Sequence, residues 1–222
     1  MDKLQQHIQD IVSERDLYSN TGHHYEIGKR IFDTVISSVG LLVLTPILLA
    51  VAGAIKLDSK GPVFFIQKRV GYKGKIFNMY KFRTMDINAE DLLREIEHKN
   101  EAAGHMFKMR NDPRITRVGK VLRKTSIDEL PQLVNVVKGE MSLVGPRPPL
   151  IREVEKYELW HHLRMSVRPG LTGMWQISGR NKIGFEEMVR LDLKYIKERS
   201  FRNDLKIIIR TVPVLLGDRN AF

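Results

Sequence analysis

Apolar positions crowd together most densely between Thr34 and Ile55, where TVISSVGLLVLTPILLAVAGAI runs for 22 residues without a charged side chain or a histidine. A helix of that length covers a bilayer core of about 30 Å. Some thirty mostly polar residues precede the run and no small-residue cleavage context follows, so it does not read as a secretory signal. A buried core helix is the soluble alternative. Pro46, near the middle, removes one backbone donor and its ring clashes with the carbonyl of Leu42, which predicts a break or kink. The Thr45 hydroxyl is placed to bond a freed carbonyl, as happens around proline in membrane helices. A kink at mid-depth returns the chain toward the face it entered, so a re-entrant hairpin is the expectation and a kinked span the alternative.

Elsewhere the pattern predicts smaller elements. Residues 1–18 place Leu4, Ile8, Ile11 and Val12 among polar neighbours, a weak amphipathic helix or a solvated tail. Gly61 to Met85 holds short apolar and aromatic runs divided by Gly71 and Gly74, a small β-hairpin with Lys68, Arg69, Lys73 and Lys75 near its tip. Asn88 to Asn100 reads as an acidic helix with a solvated face. Helical periodicity returns over Phe185 to Glu198 and over Asp204 to Leu216, the last able to pack on a core or lie in a membrane interface.

Charge narrows the partners. The chain has 222 residues, suited to one core with appendages, and 37 Lys and Arg against 26 Asp and Glu give a net charge of +11. Such a surplus favours nucleic acid, acidic headgroups or phosphorylated substrates. Cysteine is absent, which excludes disulfides and thiol catalysis and suits a reducing compartment. Basic residues flank the apolar run at Lys29, Arg30, Lys56 and Lys60. Lys56 to Met85 carries eight basic residues and one acidic, against four and five in the first thirty residues. The C-terminal side is therefore expected to be cytoplasmic.

Candidate chemistry gathers after a basic stretch from Met106 to Lys124. Ser126 and Glu129 have capping-box spacing and Pro131 suits a first turn, so a helix is expected to start near Asp128. Acids in a first turn can simply complement the helix dipole. The same geometry would keep Asp128 ionised, able to attack phosphorus or bind a hard cation. Adjacent carboxylates among arginines suit magnesium-dependent phosphoryl transfer. Arg147, inside Gly145-Pro146-Arg147-Pro148-Pro149, is held on a stiff backbone and can grip a phosphate with its planar fork. The alternative there is a proline-rich turn with an exposed arginine. The histidines lack metal-ligand spacing, and nothing in the sequence tells His23-His24 or His161-His162 from ordinary surface residues.

KRIFD (Lys29 to Asp33), YKFRTM (Tyr80 to Met85), RKTSIDELPQLVNVVKGEMSLVGPRP (Arg123 to Pro148) and RPGLTGMWQISGRN (Arg168 to Asn181) together resemble the monotopic phosphoglycosyl transferases, bacterial enzymes that begin glycoconjugate assembly. The resemblance runs from about Lys29 to the C-terminus. It implies a mainly α fold with a small β element (α+β): residues 1–28 as an extension, 29–58 as a re-entrant membrane helix, and 59–222 as a cytoplasmic catalytic domain with interfacial helices. Thr45-Pro46 stands where that family has Ser-Pro. The family's Asp-Glu dyad falls on Asp128 and Glu129. By resemblance Asp128 is the nucleophile toward a UDP-sugar and Glu129, with Asp128, holds Mg²⁺. Arg123 and Arg147 match phosphate-contacting arginines, and Lys81 and Arg83 lie in the Lys-Phe-Arg motif. The acceptor implied is undecaprenyl phosphate, at the cytoplasmic face of a bacterial inner membrane, in exopolysaccharide or lipopolysaccharide biosynthesis. A homodimer is compatible with the resemblance. The rivals are a membrane-tethered nucleic-acid binder, disfavoured by a carboxylate at Asp128 beside the phosphate site, and an idle assembly scaffold. No nucleic acid is expected as a partner.

Overall fold

In the computed structural model, which describes residues 2–14, 22–89, 91–92, 109, 112–179 and 183–215, the apolar run belongs to one helix, α2 (His23–Asp58). The expected break at Pro46 does not occur. Pro46 lies on the exposed side, and Thr45 Oγ1 bonds the carbonyl of Leu41 at 2.7 Å. Packing supplies the reason for continuity: Asp33, Ser37, Leu41, Leu44, Leu48, Val51 and Ile55 face the body at helical spacing. A helix held on one face through seven successive positions keeps its register past a proline whose ring projects outward.

Both ends of α2 are tied to the same body. At the start, Lys29 Nζ bonds Asp204 Oδ2 at 2.8 Å, and Arg30 donates to the carbonyls of Val136 and Val137. At the end, Asp58 Oδ2 accepts from the backbone N–H of Val118 at 3.0 Å, and Lys56 Nζ reaches the carbonyl of Gly61 at 2.9 Å. The outer face stays apolar and exposed at Val35, Ile36, Val39, Leu42, Val43, Ile47 and Leu49.

The first helix, α1 (Asp2–Glu14), is a docked element and no solvated tail. Ile8 and Val12 are fully buried against Val70, Val154 and Met165, each worth about 1.5–3 kcal/mol of stabilisation. The expected hairpin is present as β1 (Phe64–Val70) antiparallel to β2 (Ile76–Phe82), with Phe64 opposite Phe82 and Val70 opposite Ile76. The helix expected over Asn88 to Asn100 lies mostly outside the described residues. A basic helix α3 (Arg117–Thr125) then leads through a 3-10 turn (Ile127–Glu129) into α4 (Gln132–Lys138).

A short parallel pair, β3 (Ser142–Val144) and β4 (Gly170–Thr172), stands beside the core of Phe77, Met79, Leu133, Val136, Met141, Val144, Tyr195 and Ile207. Between these strands come one turn of helix α5 (Ile151–Val154) and a 3-10 stretch (Leu159–Ser166), in which His161 and His162 are buried, which the sequence did not distinguish from a surface position. The chain closes with α6 (Met174–Ile177), α7 (Phe185–Lys197) and α8 (Phe201–Leu215). Helix α8 exposes Phe201, Leu205, Ile209 and Val212, and its start meets that of α2 where the rings of Tyr25 and Phe201 lie 5.2 Å apart. The described chain is thus mainly helical with small sheets, as expected.

Candidate active site

The strand-to-loop connection after β3 carries Arg147, and its backbone is held at every carbonyl. Those of Pro146, Arg147, Pro148 and Pro149 accept hydrogen bonds from Gly170 N, Arg164 Nη2, Arg69 Nη1 and Val70 N, at 2.8, 3.2, 2.9 and 3.0 Å. Close approach of two strands makes this possible: a Cβ on Gly170 would lie 2.0 Å from the Gly145 nitrogen, so only glycine fits. Prolines and hydrogen bonds together fix the Arg147 backbone, with its guanidinium carbon 5.8 Å from the Trp175 ring.

Opposite this loop, the turn between α3 and α4 presents Asp128 and Glu129. The expected capping box is not formed. Ser126 adopts a left-handed conformation (φ 55°, ψ 18°) that closes α3, makes no side-chain cap, and leaves both acids in the 3-10 turn ahead of α4. The chain must reverse sharply between two helices here, and a residue at positive φ achieves this where a capping serine in extended conformation would not.

Between loop and turn lies a cavity of about 360 Å³, lined by Asp128 and Glu129 together with Lys81, Arg123, Arg147 and Arg69. Four cations against two carboxylates make it a seat for a multiply charged anion. Lys81 Nζ pairs with Glu129 Oε1 at 2.6 Å, and Arg123 Nε donates to Thr84 Oγ1 at 2.9 Å. Five of the six residues singled out in the sequence therefore come together. Arg83 does not: its guanidinium bonds the carbonyls of Pro62, Lys60 and Ser59 at 2.6, 2.8 and 2.9 Å, tying down the chain that leaves α2. It stands apart from the residues that line the cavity. Arg69, Gln132, Trp175 and Gln176 line the cavity without having been singled out.

Burial pushes the Asp128 carboxyl up to about 6, and the neighbouring Glu129 charge adds to the shift, while Lys81 and Arg123 oppose it. Asp128 therefore gives up its proton less readily than a first-turn position implies. The two carboxylates repel each other, a strain that a divalent cation would relieve. Among the described residues no cluster of three or more His, Cys, Asp or Glu forms. Two adjacent carboxylates facing a cavity suited to anions are a donor set of the kind that Mg²⁺ takes, with substrate phosphates and water completing its shell, so Asp128 and Glu129 would hold it.

A family model of bacterial sugar transferases matches residues 24–218. This chain belongs to that family. It is 49% identical over 191 residues to the galactosyl transferase CpsE of Streptococcus agalactiae, covering 86% of this chain and 42% of that protein. With the exopolysaccharide production protein ExoY of Sinorhizobium fredii it shares 42% identity over 200 residues, 88% of each chain. With the undecaprenyl-phosphate galactose phosphotransferase of Salmonella typhimurium it shares 41% over 198 residues, 87% of this chain and 41% of the other. The chain thus spans about two fifths of CpsE and of the Salmonella protein, and most of ExoY.

Proposed function

We propose that this sugar transferase moves a hexose 1-phosphate, from UDP-galactose or UDP-glucose, onto undecaprenyl phosphate, with Asp128 as the nucleophile. The observation that carries the reading is the cavity itself, where the half-buried Asp128 carboxylate sits among four cationic side chains. An Asp128 oxygen forms a bond to the sugar-bearing phosphorus as the bond to the UMP oxygen breaks, and UMP leaves with the bonding pair. An oxygen of the lipid phosphate then attacks the same phosphorus, releasing Asp128 and giving the undecaprenyl diphosphate sugar. Lys81 and Arg123 flank the attacking carboxylate, and Arg147 presents its fork to phosphate oxygens. Mg²⁺ held at Glu129 and Asp128 would supply neutralisation of the diphosphate charge. UMP release from a panel of UDP-sugars with undecaprenyl phosphate tests the reading. Release with no UDP-sugar would end it.

The reaction joins a soluble nucleotide to a lipid phosphate confined to the headgroup layer, and α2 suits that depth. Its apolar face enters the bilayer while both ends remain with the body, so the chain sits on one side, the cytoplasmic face of the inner membrane. The exposed apolar stripe of α8 rests in the interface beside it. The native chain lacks cysteine, which makes single labels clean. Gln6→Cys and Lys197→Cys are expected to react with an impermeant maleimide only in inverted vesicles. Labelling of position 6 from outside intact cells would show that α2 spans.

The titration of Asp128 gives a pH test. Its pKa is raised and its basic form attacks, so the rate of UMP release should fall as pH drops through about 6. Because ionising this desolvated group costs stability, the sign for folding is opposite. Its contribution is greatest below the unfolded carboxylate range and is lost as pH rises through about 6. A pH–rate profile flat from 5 to 7.5 (roughly one unit either side of the shifted value) would remove Asp128 as the titrating nucleophile.

A further inference from the structure

Arg69 is the cavity-lining cation for which sequence offered no role. On β1 it is only 5% exposed, and burying a guanidinium costs several kcal/mol unless an anion accompanies it. Lys81 has Glu129, and the opposite charge that acts most strongly on Arg123 is that of Asp128. Arg69 has neutral partners: Gln67 Oε1 accepts from Nε at 3.0 Å and from Nη2 at 2.5 Å, and the Pro148 carbonyl accepts from Nη1 at 2.9 Å. Among the described residues no carboxylate lies within ion-pair distance of it. Burial, and after it the charge of Arg147, lower its pKa to about 10, against the opposing charges of Glu153 and Glu129.

A guanidinium has five N–H groups. Three of those on Arg69 are used, one on each nitrogen, which leaves one on each terminal nitrogen. Gln67 and Pro148 hold the fork rigid, and the Pro148 bond places it next to the Arg147 loop. Two adjacent arginines, one of them buried with neutral partners only, are relieved by an anion that bridges them. Lys81 and Arg123 stand on the Asp128 side, where the transferred phosphorus must be. Arg69, on the strand paired with that of Lys81, is hydrogen-bonded to the loop that carries Arg147, and both line the cavity.

We propose that Arg69, with Arg147, binds the phosphate that departs with the nucleotide, and that the same seat then receives the phosphate of the lipid acceptor. The assignment rests on the proposed phosphosugar transfer. In a double displacement the leaving phosphate and the incoming one approach the same face of the phosphorus in turn. One cationic seat therefore serves both half-reactions.

The test compares UMP binding by calorimetry, and KM for undecaprenyl phosphate, in the full-length protein and in Arg69→Gln and Arg69→Lys. Loss of a charged hydrogen bond predicts that Arg69→Gln weakens UMP about tenfold or more and raises the lipid KM by a similar factor. Arg69→Lys should lose less of both, because it keeps the charge. Since Arg69 is a buried cation beside Arg147, with no carboxylate in ion-pair distance and only the charges of Glu153 and Glu129 beyond that distance to offset it, the melting temperature of Arg69→Gln without UMP should match or exceed that of the parent. UMP affinity within about twofold of the parent would overturn the assignment. So would equal losses in both variants with a lower ligand-free melting temperature, which would mark Arg69 as a brace for the Pro148 loop. A parent protein that neither binds UMP nor turns over any UDP-sugar would instead overturn the proposed reaction.

Discussion

Asp128→Asn is expected to abolish UMP release from the UDP-sugar, by a factor on the order of 10⁴ or more. An amide of the same size keeps the turn and loses the lone-pair charge that attacks phosphorus. Because the wild-type carboxyl is pushed up by burial and by Glu129, its replacement by a neutral group removes a charge that the fold resists. The variant should therefore melt at or slightly above the parent temperature, which separates a chemical defect from a folding one. Glu129→Gln should behave differently. It removes the partner of Lys81, 2.6 Å away, and weakens any bound cation, so activity should fall less and recover in part at high Mg²⁺. Equal, unrecoverable losses in both variants would point to a shared structural cause.

The second large effect is expected behind the cavity. Arg164 and Asp192 are buried, and Nη2 and Nε of Arg164 reach Asp192 Oδ2 at 2.7 and 2.8 Å. Burial pushes the Asp192 carboxyl up to about 6 and the guanidinium opposes this. Asp192→Ala leaves a buried cation without its counter-charge, which costs about 3–5 kcal/mol, or roughly 10 °C in melting temperature for a domain of this size. Arg164 also donates to the Tyr157 hydroxyl at 2.7 Å and to the Arg147 carbonyl at 3.2 Å. Activity should fall with stability. Pairing Arg164→Met with Asp192→Leu, which replaces the ion pair by apolar packing, should restore much of the melting temperature. It should not restore activity, because the Arg147 carbonyl loses its donor. Full recovery of both would show that Arg164 does not position Arg147.

What the sequence made legible follows physical range. The apolar run of α2, the alternation of the hairpin and the two acids after α3 are local signals. The packing that carries α2 past Pro46 is not local, since it comes from Leu133 of α4 and from Leu122 and Phe82, far along the chain. Ser126 and Glu129 have the spacing of a cap, yet spacing cannot show that the turn needs a left-handed residue there. Alternation puts Arg83 on the same strand face as Lys81, but β2 ends at Phe82, and Arg83 turns to the carbonyls after α2. Arg69 stayed hidden for the converse reason. It sits in a basic run beside Lys68, which is exposed, and its burial depends on the Pro148 loop, nearly eighty residues later. The Arg147 loop was legible as stiff, whereas its parallel partner strand at Gly170 was not.

Intact-protein mass spectrometry after mixing the enzyme with Mg²⁺ and its UDP-sugar, without lipid acceptor, tests the covalent step most directly. The account predicts a mass gain equal to one hexose phosphate, about one equivalent of UMP released, peptide mapping of the adduct to Asp128, and discharge when undecaprenyl phosphate is added. An enzyme that turns over both substrates, yet releases no UMP until the lipid is present and never gains that mass, would contradict it and make the transfer a direct one.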